Sequence, residues 1–328
     1  MPQPGQEVII AGPLKDVSIA YRNRLYIADR IFPFIDNVPP EAKVAKYLKG
    51  AWFRDEAQER GPGSEAVRGG YPIGWLDIIL KEVAFAKEVT IEDRENAAAL
   101  GGSVLKPDQD AIEFCQDRIL LRRETRLAAL IKATAWSGQG AGGEDAEGLW
   151  AAGSGNTFLA DVKARIGTIL SNTGMKPNRL LIDGGTYRSL TEESTLLDKI
   201  KYTQRGVLTA ELIAAVLDLD EVIVADAVYS SAKETKAGTE FTAVKIWENT
   251  ATKGMGFLYY APPAPGLKVP SCGYACRGGS GNGFVGGTRL TTWYESSKHQ
   301  DVYEAAEKSD LLVSGADLGF MWKDPLLT

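Results

Sequence analysis

The chain has 328 residues, 44% hydrophobic and 24% charged, so it can bury a substantial core and does not belong to the disordered class. Its net charge is −6, whereas a protein that grips nucleic acid over a broad surface is usually basic. The sequence has no apolar run of about 18 residues that would span a membrane, and its N-terminus lacks the basic and apolar pattern of a secretory signal.

Residues 1–45 combine six prolines with many apolar side chains. The prolines exclude a long helix, and the apolar side chains favour packing against another surface over exposure to water. We therefore predict an N-terminal arm that lies across a neighbouring subunit. The alternative is an arm that folds onto its own domain. The predicted subunit-interface anchors of the arm are Tyr26, Ile31, Phe32 and Phe34.

Residues 46–90 predict an extended two-stranded loop. One leg is expected at Tyr47–Arg54 and the other at Trp75–Val89, with the polar, glycine-rich stretch Glu59–Glu65 between them. Basic and acidic side chains balance across the segment, which suits salt bridges to a neighbour's surface. A plain solvated hairpin would show the same balance. Trp52 and Phe53 are the predicted interface anchors of this loop.

Residues 107–135 predict a long helix within a segment that covers 91–155. Pro107 suits the first helical turn, and the acidic residues that follow it suit the helix dipole. Apolar residues recur three and four positions apart and form one buried stripe. A helix of this length spans roughly 40 Å. The stripe consists of Ile112, Cys115, Ile119, Leu127, Leu130 and Ile131.

Residues 156–288 predict a small layered α/β unit. Asn156 or Thr157 can cap its first helix, and Thr209 can cap another. The Gly184–Gly185 pair marks a turn between a buried strand and a short helix. The predicted order is strand Leu180–Asp183, a short helix, helix Ala210–Leu217, a strand from Glu221, and strands within Phe241–Trp247 and Gly256–Tyr260.

Residues 289–328 predict three short strands in a sheet beside the long helix. Their expected positions are Leu290–Tyr294, Asp301–Glu304 and Leu311–Val313. Their alternating apolar and polar residues are typical of half-buried strands.

The residues that could carry chemistry favour a structural protein. Gly281–Gly286 has the spacing of a dinucleotide-binding motif, but a strand pattern follows it where that motif needs a helix. The single histidine, His299, lies in a polar stretch and is expected in an exposed turn. Cys115, Cys272 and Cys276 lack the spacing of a zinc site and are expected to be reduced and inert. We therefore predict no catalytic residues, no cofactor and no metal.

Four segments together resemble one known family. They are Lys176–Leu180, Lys199–Thr203, Leu208–Leu212 and Val224–Tyr229. Their order is similar to that of the axial domain of tailed-bacteriophage major capsid proteins with the Hong Kong 97-like fold. The resemblance covers about residues 18–320.

The resemblance implies an α+β fold with an N-terminal arm (1–45), an extended loop or E-loop (46–90), a peripheral domain with a long spine helix (91–155), an axial domain (156–288) and return strands of the peripheral domain (289–328). It implies a structural subunit, not an enzyme, that self-assembles through hexamers and pentamers into an icosahedral virion shell around double-stranded DNA.

The resemblance also implies partners. These are further copies of the chain, a separate scaffolding protein, a portal, a possible decoration protein and weakly contacted DNA, with assembly in the host cytoplasm and no membrane. In some relatives a loop lysine is joined to an asparagine of a neighbouring subunit, but nothing here marks such a pair. Two alternatives stay open: an encapsulin-like nanocompartment shell, and an α/β enzyme with its site beyond Gly184–Gly185.

Overall fold

The structure is a computed structural model, and it describes residues 25–99, 106–153, 155–200, 208–233, 240–248, 253–266, 268–279 and 284–326. Parts of three sequence predictions lie outside the described residues. They are the first 24 residues of the arm, residues 201–203 of the Lys199–Thr203 segment and residues 281–283 of the glycine-rich motif.

The architecture is α+β, as predicted. The helices are α1 Ala28–Ile31, α2 Lys49–Trp52, α3 Ile91–Ala99, α4 Pro107–Ala133, α5 Phe158–Thr173, α6 Gly184–Thr191, α7 Ser194–Ile200 and α8 Ala210–Leu217, with a 3-10 turn at Ala316–Leu318. The strands are β1 Phe34–Val38, β2 Glu41–Tyr47, β3 Ile73–Ile79, β4 Lys81–Thr90, β5 Glu144–Asp145, β6 Arg179–Asp183, β7 Glu221–Ala225, β8 Val228–Ser230, β9 Ala243–Lys245, β10 Met255–Tyr259, β11 Gly273–Gly278, β12 Thr288–Glu295, β13 Gln300–Val313 and β14 Gly319–Lys323.

The predicted long helix is confirmed as α4, which packs on a five-stranded sheet. In this first sheet β13 pairs with β12, β11 and β4, and β1 joins β11 in parallel. Cys115 and Ile119 of α4 are buried against Ala305 of β13. The Arg123 guanidinium donates to both carboxylate oxygens of buried Glu307 at 3.1 Å, which adds an ion pair to the apolar contact.

The predicted strand, helix, helix, strand unit is confirmed in a second five-stranded sheet. Its order is β5-β14-β10-β6-β7, with β6 and β7 parallel. The two predicted helices between them are α6 and α8, and α7 is a third helix that the sequence did not predict. The side chain of Thr209 accepts a hydrogen bond from the Leu212 N–H and caps α8 as expected. Gly174 ends α5 in the left-handed conformation with φ 69°.

The Gly184–Gly185 pair is required by a close approach of side chains. A Cβ added to Gly184 would lie 1.8 Å from an oxygen of Asp226, and one added to Gly185 would lie 2.8 Å from an oxygen of Asp183. Asp183 caps α6 by accepting from the Gly185 and Thr186 N–H groups, and it also accepts from the Met255 N–H. The glycines therefore allow a buried aspartate to join β6, α6 and β10.

The extended loop is a hairpin, but its legs differ from the prediction. Strands β2 and β3 pair in antiparallel register from Glu41↔Ile79 to Tyr47↔Ile73. Residues 49–52, predicted as strand, form the helical turn α2 instead. The expected second leg is divided near Leu80, because β3 stays in the hairpin whereas β4 pairs with β13 in the first sheet.

The tail also differs from the prediction. The two strands expected at Asp301–Glu304 and Leu311–Val313 are one 14-residue strand, β13, which extends past both β12 and β11. Strand β14 lies in the second sheet, and β11, which the sequence placed with the axial segment, lies in the first. Strand pairing over long sequence separations decides both outcomes, and local periodicity does not report it.

Candidate assembly surfaces

Within the described part of the arm, residues 25–45, the two most deeply buried apolar residues anchor it to its own chain. Ile31 and Phe32 are fully buried in the large core beneath α4 and the second sheet, where they pack with Leu127 and Ile131. Because these side chains are already covered within the subunit, they have no surface left for a neighbour. At Ile31 and Phe32 the arm therefore folds onto its own domain, which was the alternative interpretation of the sequence.

Tyr26 and Phe34 flank this anchor and are half-buried against the same core. The Arg277 guanidinium lies 3.3 Å from the centre of the Phe34 ring, a stacked cation–π arrangement. The Phe34 ring therefore has one face covered by its own chain, and both rings have part of their surface open.

A buried carboxylate holds the start of the arm. Glu124 of α4 is inaccessible to solvent and accepts hydrogen bonds from the N–H groups of Ile27 and Ala28 and from the indole N–H of Trp247. Burial raises the pKa of the Glu124 carboxyl, and the hydrogen bonds from Trp247, Ala28 and Ile27 oppose this rise. The Glu124 carboxylate therefore joins the arm, the spine helix and the segment that follows β9.

The hairpin base carries the two predicted loop anchors on the surface. Trp52 is 54% exposed and Phe53 is 66% exposed. Trp52 lies in a group with Tyr47 and Tyr71, with ring centroids 5.7–6.0 Å apart, and the Lys268 ammonium lies 5.4 Å from the Trp52 ring. The group presents a large aromatic surface at the junction of hairpin and body.

The helical turn α2 fixes the hairpin base to its own chain. The Lys49 ammonium pairs with Asp317 and donates to the carbonyl oxygen of Asn172 at 3.2 Å. The Phe53 ring lies 3.2 Å from the position that a Cβ on Gly174 would occupy. These contacts set the angle at which the hairpin leaves the body.

The hairpin has two apolar faces, of which its own chain covers one. Leu76 and Ile78 point to the small core that contains Val38 and Leu80. On the opposite face Ile73, Trp75 and Ile79 are exposed, and Trp75 is 61% exposed. Only one ion pair, Lys43 to Asp77 at 3.4 Å, interrupts this second face among the described residues. An exposed apolar face of this kind is typical of a surface that binds another protein.

Sequence reasoning missed Trp75, Ile73 and Tyr71 as surface residues. The available signal was the absence of alternation between Ile73 and Ile79, where apolar side chains occur at both odd and even positions. In a strand this pattern means that both faces are covered, and only the structure shows that one cover is missing.

Exposed apolar side chains also lie on both faces of β12. This strand ends the first sheet, and Leu290, Trp293 and Tyr294 are exposed on it. An edge strand of this kind offers unpaired backbone groups as well as apolar side chains to another chain.

The described residues contain no cluster that resembles a metal or nucleophile site. No group of three or more metal-ligating side chains occurs among them. His299 lies in an exposed turn with φ 49°, as expected, and its Nδ1 is 3.2 Å from the Tyr294 hydroxyl. The three cysteines are free and buried, and burial raises the pKa of Cys276 to about 11. In the described part of the chain, no helix is long and apolar enough to cross a membrane.

Comparisons with known proteins identify the fold. No family model matches the chain. It is 27% identical over 234 residues to the major capsid protein of Burkholderia phage BcepMu, and the match covers 69% of this chain and 72% of that protein. A phage-related protein of Bordetella bronchiseptica RB50 superposes with a TM-score of 0.65 at 17% identity over 94% of this chain and 95% of that one. The capsid structure of cyanophage P-SCSP1u superposes with a TM-score of 0.61 at 10% identity, over 97% of this chain and 92% of that one. The chain has the Hong Kong 97-like fold. The resemblance inferred from the sequence motifs is thereby confirmed.

Proposed function

We propose that the chain is a structural virion protein, the major capsid subunit of a tailed phage. Copies assemble as hexamers and pentamers into an icosahedral shell that encloses double-stranded DNA. The sequence similarity to a phage major capsid protein and the capsid fold over nearly the whole chain support this function. The observation that carries it is the hairpin face around Trp75, which is apolar, projecting and uncovered in the isolated subunit.

Assembly on this proposal is driven by covering that face. The hairpin lies over the adjacent subunit, and Trp75 and Ile73 become buried together with Trp52 and Phe53 at its base. Burial of apolar surface stabilises the contact without directional bonds, while the charged side chains around it set the register. Each contact can be weak because every subunit of a closed shell makes the same contacts.

The six interface residues inferred from the sequence divide into two groups on this proposal. Trp52 and Phe53 contact the neighbour directly, and Tyr26 and Phe34 contribute their open edges. Ile31 and Phe32 act inside the subunit, where they hold the arm against α4. Within the shell, the first sheet with α4 forms the peripheral domain and the second sheet forms the axial domain, which meets its copies around the five-fold and six-fold axes.

The proposed partners follow from the same role. A scaffolding protein guides assembly in the host cytoplasm, a portal occupies one vertex, and a decoration protein can bind the finished shell. Contact with the packaged DNA is weak, since a net charge of −6 does not favour binding to phosphates overall.

Electron microscopy of the assembled protein tests the proposal. We expect closed shells of uniform size that carry double-stranded DNA when isolated from phage-producing cells. Shells that enclose a protein cargo and no nucleic acid would instead favour a nanocompartment. A protein that stays a monomer at high concentration, with scaffolding protein present, would contradict the capsid function.

A further inference from the structure

A groove borders α4, and none of the residues that line it belongs to the β2–β3 hairpin. It has a volume of about 790 Å³ and lies between α4, β4 and the β8–β9 hairpin. The residues of α4 that line it fall on one helical stripe, from Arg118 to Lys132. At 1.5 Å per residue this stripe is about 21 Å long.

The centre of the groove is apolar and shaped for close approach. Thr125, Ala128 and Ala129 of α4 form its floor, and Val83 and Phe85 of β4 form one wall. Small side chains along a helix allow the backbone of another helix to come near. Phe85 is partly exposed at one end, where its ring packs on Phe114 with centroids 5.7 Å apart.

The charges on the groove are unbalanced. Its lining includes Arg118, Arg122, Lys132 and Lys245 but only one acidic residue, Glu248. The Lys132 ammonium donates to the carbonyl oxygens of Ile246 and Glu248, and the Lys245 ammonium pairs with the Glu248 carboxylate. These two lysines are therefore satisfied within the subunit.

The two arginines are different. Arg118 and Arg122 are exposed and one helical turn apart, and no carboxylate of the described residues forms an ion pair with either guanidinium. Arg118 lies over the Phe114 ring, 4.8 Å from its centre, a contact with the face of the ring that uses none of its N–H donors in an ion pair. The groove thus has an apolar floor beside two cations with unused hydrogen-bond donors.

We infer that this groove is a docking site for a helical segment of a second protein, apolar on one face and acidic along the flank that meets Arg118 and Arg122. Charge complementarity selects this occupant over residues 1–24 of the same chain, which carry Lys15, Arg22 and Arg24 against Glu7 and Asp16. It also selects a protein over a nucleic acid, because a phosphate backbone gains nothing from the apolar floor. The groove belongs to the folded subunit, so helix binding is tested separately from assembly. A subunit that forms shells can fail to bind the helix, and a subunit that binds the helix can fail to form shells.

Peptide binding to the full-length subunit tests the inference. The probe is a labelled synthetic helix of about 14 residues, the length that fits about 21 Å, with leucine on one face and glutamate on the flanks. A second probe has lysine in place of glutamate. We expect the glutamate probe to bind about tenfold more tightly than the lysine probe, from two partly exposed ion pairs.

Two variants locate the binding site. The double variant Arg118→Glu/Arg122→Glu should reverse the preference between the probes. Ala129→Trp fills the floor of the groove without changing its charge, so it should weaken the binding of both probes. The control Lys163→Glu/Lys298→Glu makes the same change of charge at exposed positions outside the groove lining and should bind as the unchanged subunit does.

Four results would overturn the inference. They are equal binding of the two probes, no binding of either, tighter binding by a peptide of residues 1–24 than by the glutamate probe, and binding of a single-stranded DNA oligonucleotide that the double variant abolishes. Circular dichroism of each variant checks that the subunit stays folded.

Discussion

Replacing Trp75 with serine should weaken assembly while leaving the subunit intact. Trp75 is 61% exposed on the uncovered face of the hairpin, opposite the side that Leu76 and Ile78 bury. Its ring therefore contributes little to the stability of the isolated chain. Substitutions at such positions change the free energy of unfolding by about 0.5 kcal/mol or less.

The expected effect on assembly follows from the area of the ring. A tryptophan side chain presents up to about 250 Å², so about 150 Å² of Trp75 is open. Covering all of it at about 25 cal/mol per Å² would contribute about 4 kcal/mol, and covering half of it about 2 kcal/mol. A loss of about 2 kcal/mol per subunit corresponds to a rise of about 30-fold in the subunit concentration at which shells form.

The measurement compares light scattering and sedimentation over a series of subunit concentrations, under conditions in which the unchanged protein forms shells. Urea unfolding of the unassembled subunit gives the stability separately. Trp75→Tyr is the matched control, because its ring still covers most of the area and should keep the threshold near the original value. A serine variant that forms shells at the original concentration, with unchanged stability, would refute the role of this face.

Three other substitutions act inside the subunit. Ile31→Ala should lower the free energy of unfolding by about 2–5 kcal/mol, since it leaves a cavity in the core; a urea midpoint equal to that of the unchanged subunit would show that the arm is not anchored there. Glu124→Gln should cost about 2–3 kcal/mol, because its amide nitrogen must face an N–H donor, and faster hydrogen exchange at Ile27 and Ala28 is the specific sign. The Arg94 guanidinium lowers the pKa of Asp108 below its ordinary value of 3.8. Asp108 therefore adds stability above that value and loses it as the pH falls. The deficit of Asp108→Asn, about 1 kcal/mol or less at pH 7 for this partly exposed pair, should shrink toward pH 3, and a deficit independent of pH would contradict the assignment.

Local patterns predicted the elements that depend on local physics. The proline, the acidic first turn and the apolar stripe of residues 107–135 specify a helix whatever surrounds it, and α4 ends within two residues of the prediction. The caps at Thr209 and Gly174 and the close approach of Gly185 to Asp183 are likewise requirements of the backbone within a few residues. The capsid fold was indicated by the resemblance of four segments to one known family, namely Lys176–Leu180, Lys199–Thr203, Leu208–Leu212 and Val224–Tyr229.

The arm shows where local reasoning stops. Ile31 and Phe32 are strongly apolar, and from the sequence alone they fit a neighbour's surface as well as their own core. Burial is decided by what lies opposite, and the residues opposite, Leu127 and Ile131, are about a hundred positions away. Glu124 could not be recognised either, because its three donors come from two distant segments.

Amino-acid order by itself determined α4, α5, α6 and α8, the caps at Thr209 and Gly174 and the strand-rich tail, because these follow from periodicity and backbone chemistry over short distances. Tertiary structure decided which strands share a sheet, that β13 is continuous, that the arm is held by its own chain, and that the face around Trp75 and the groove beside Arg118 are left open. Each of these outcomes depends on which segments, distant in sequence, pack against each other. The exposure of a side chain is decided by those tertiary contacts and not by its neighbours in sequence.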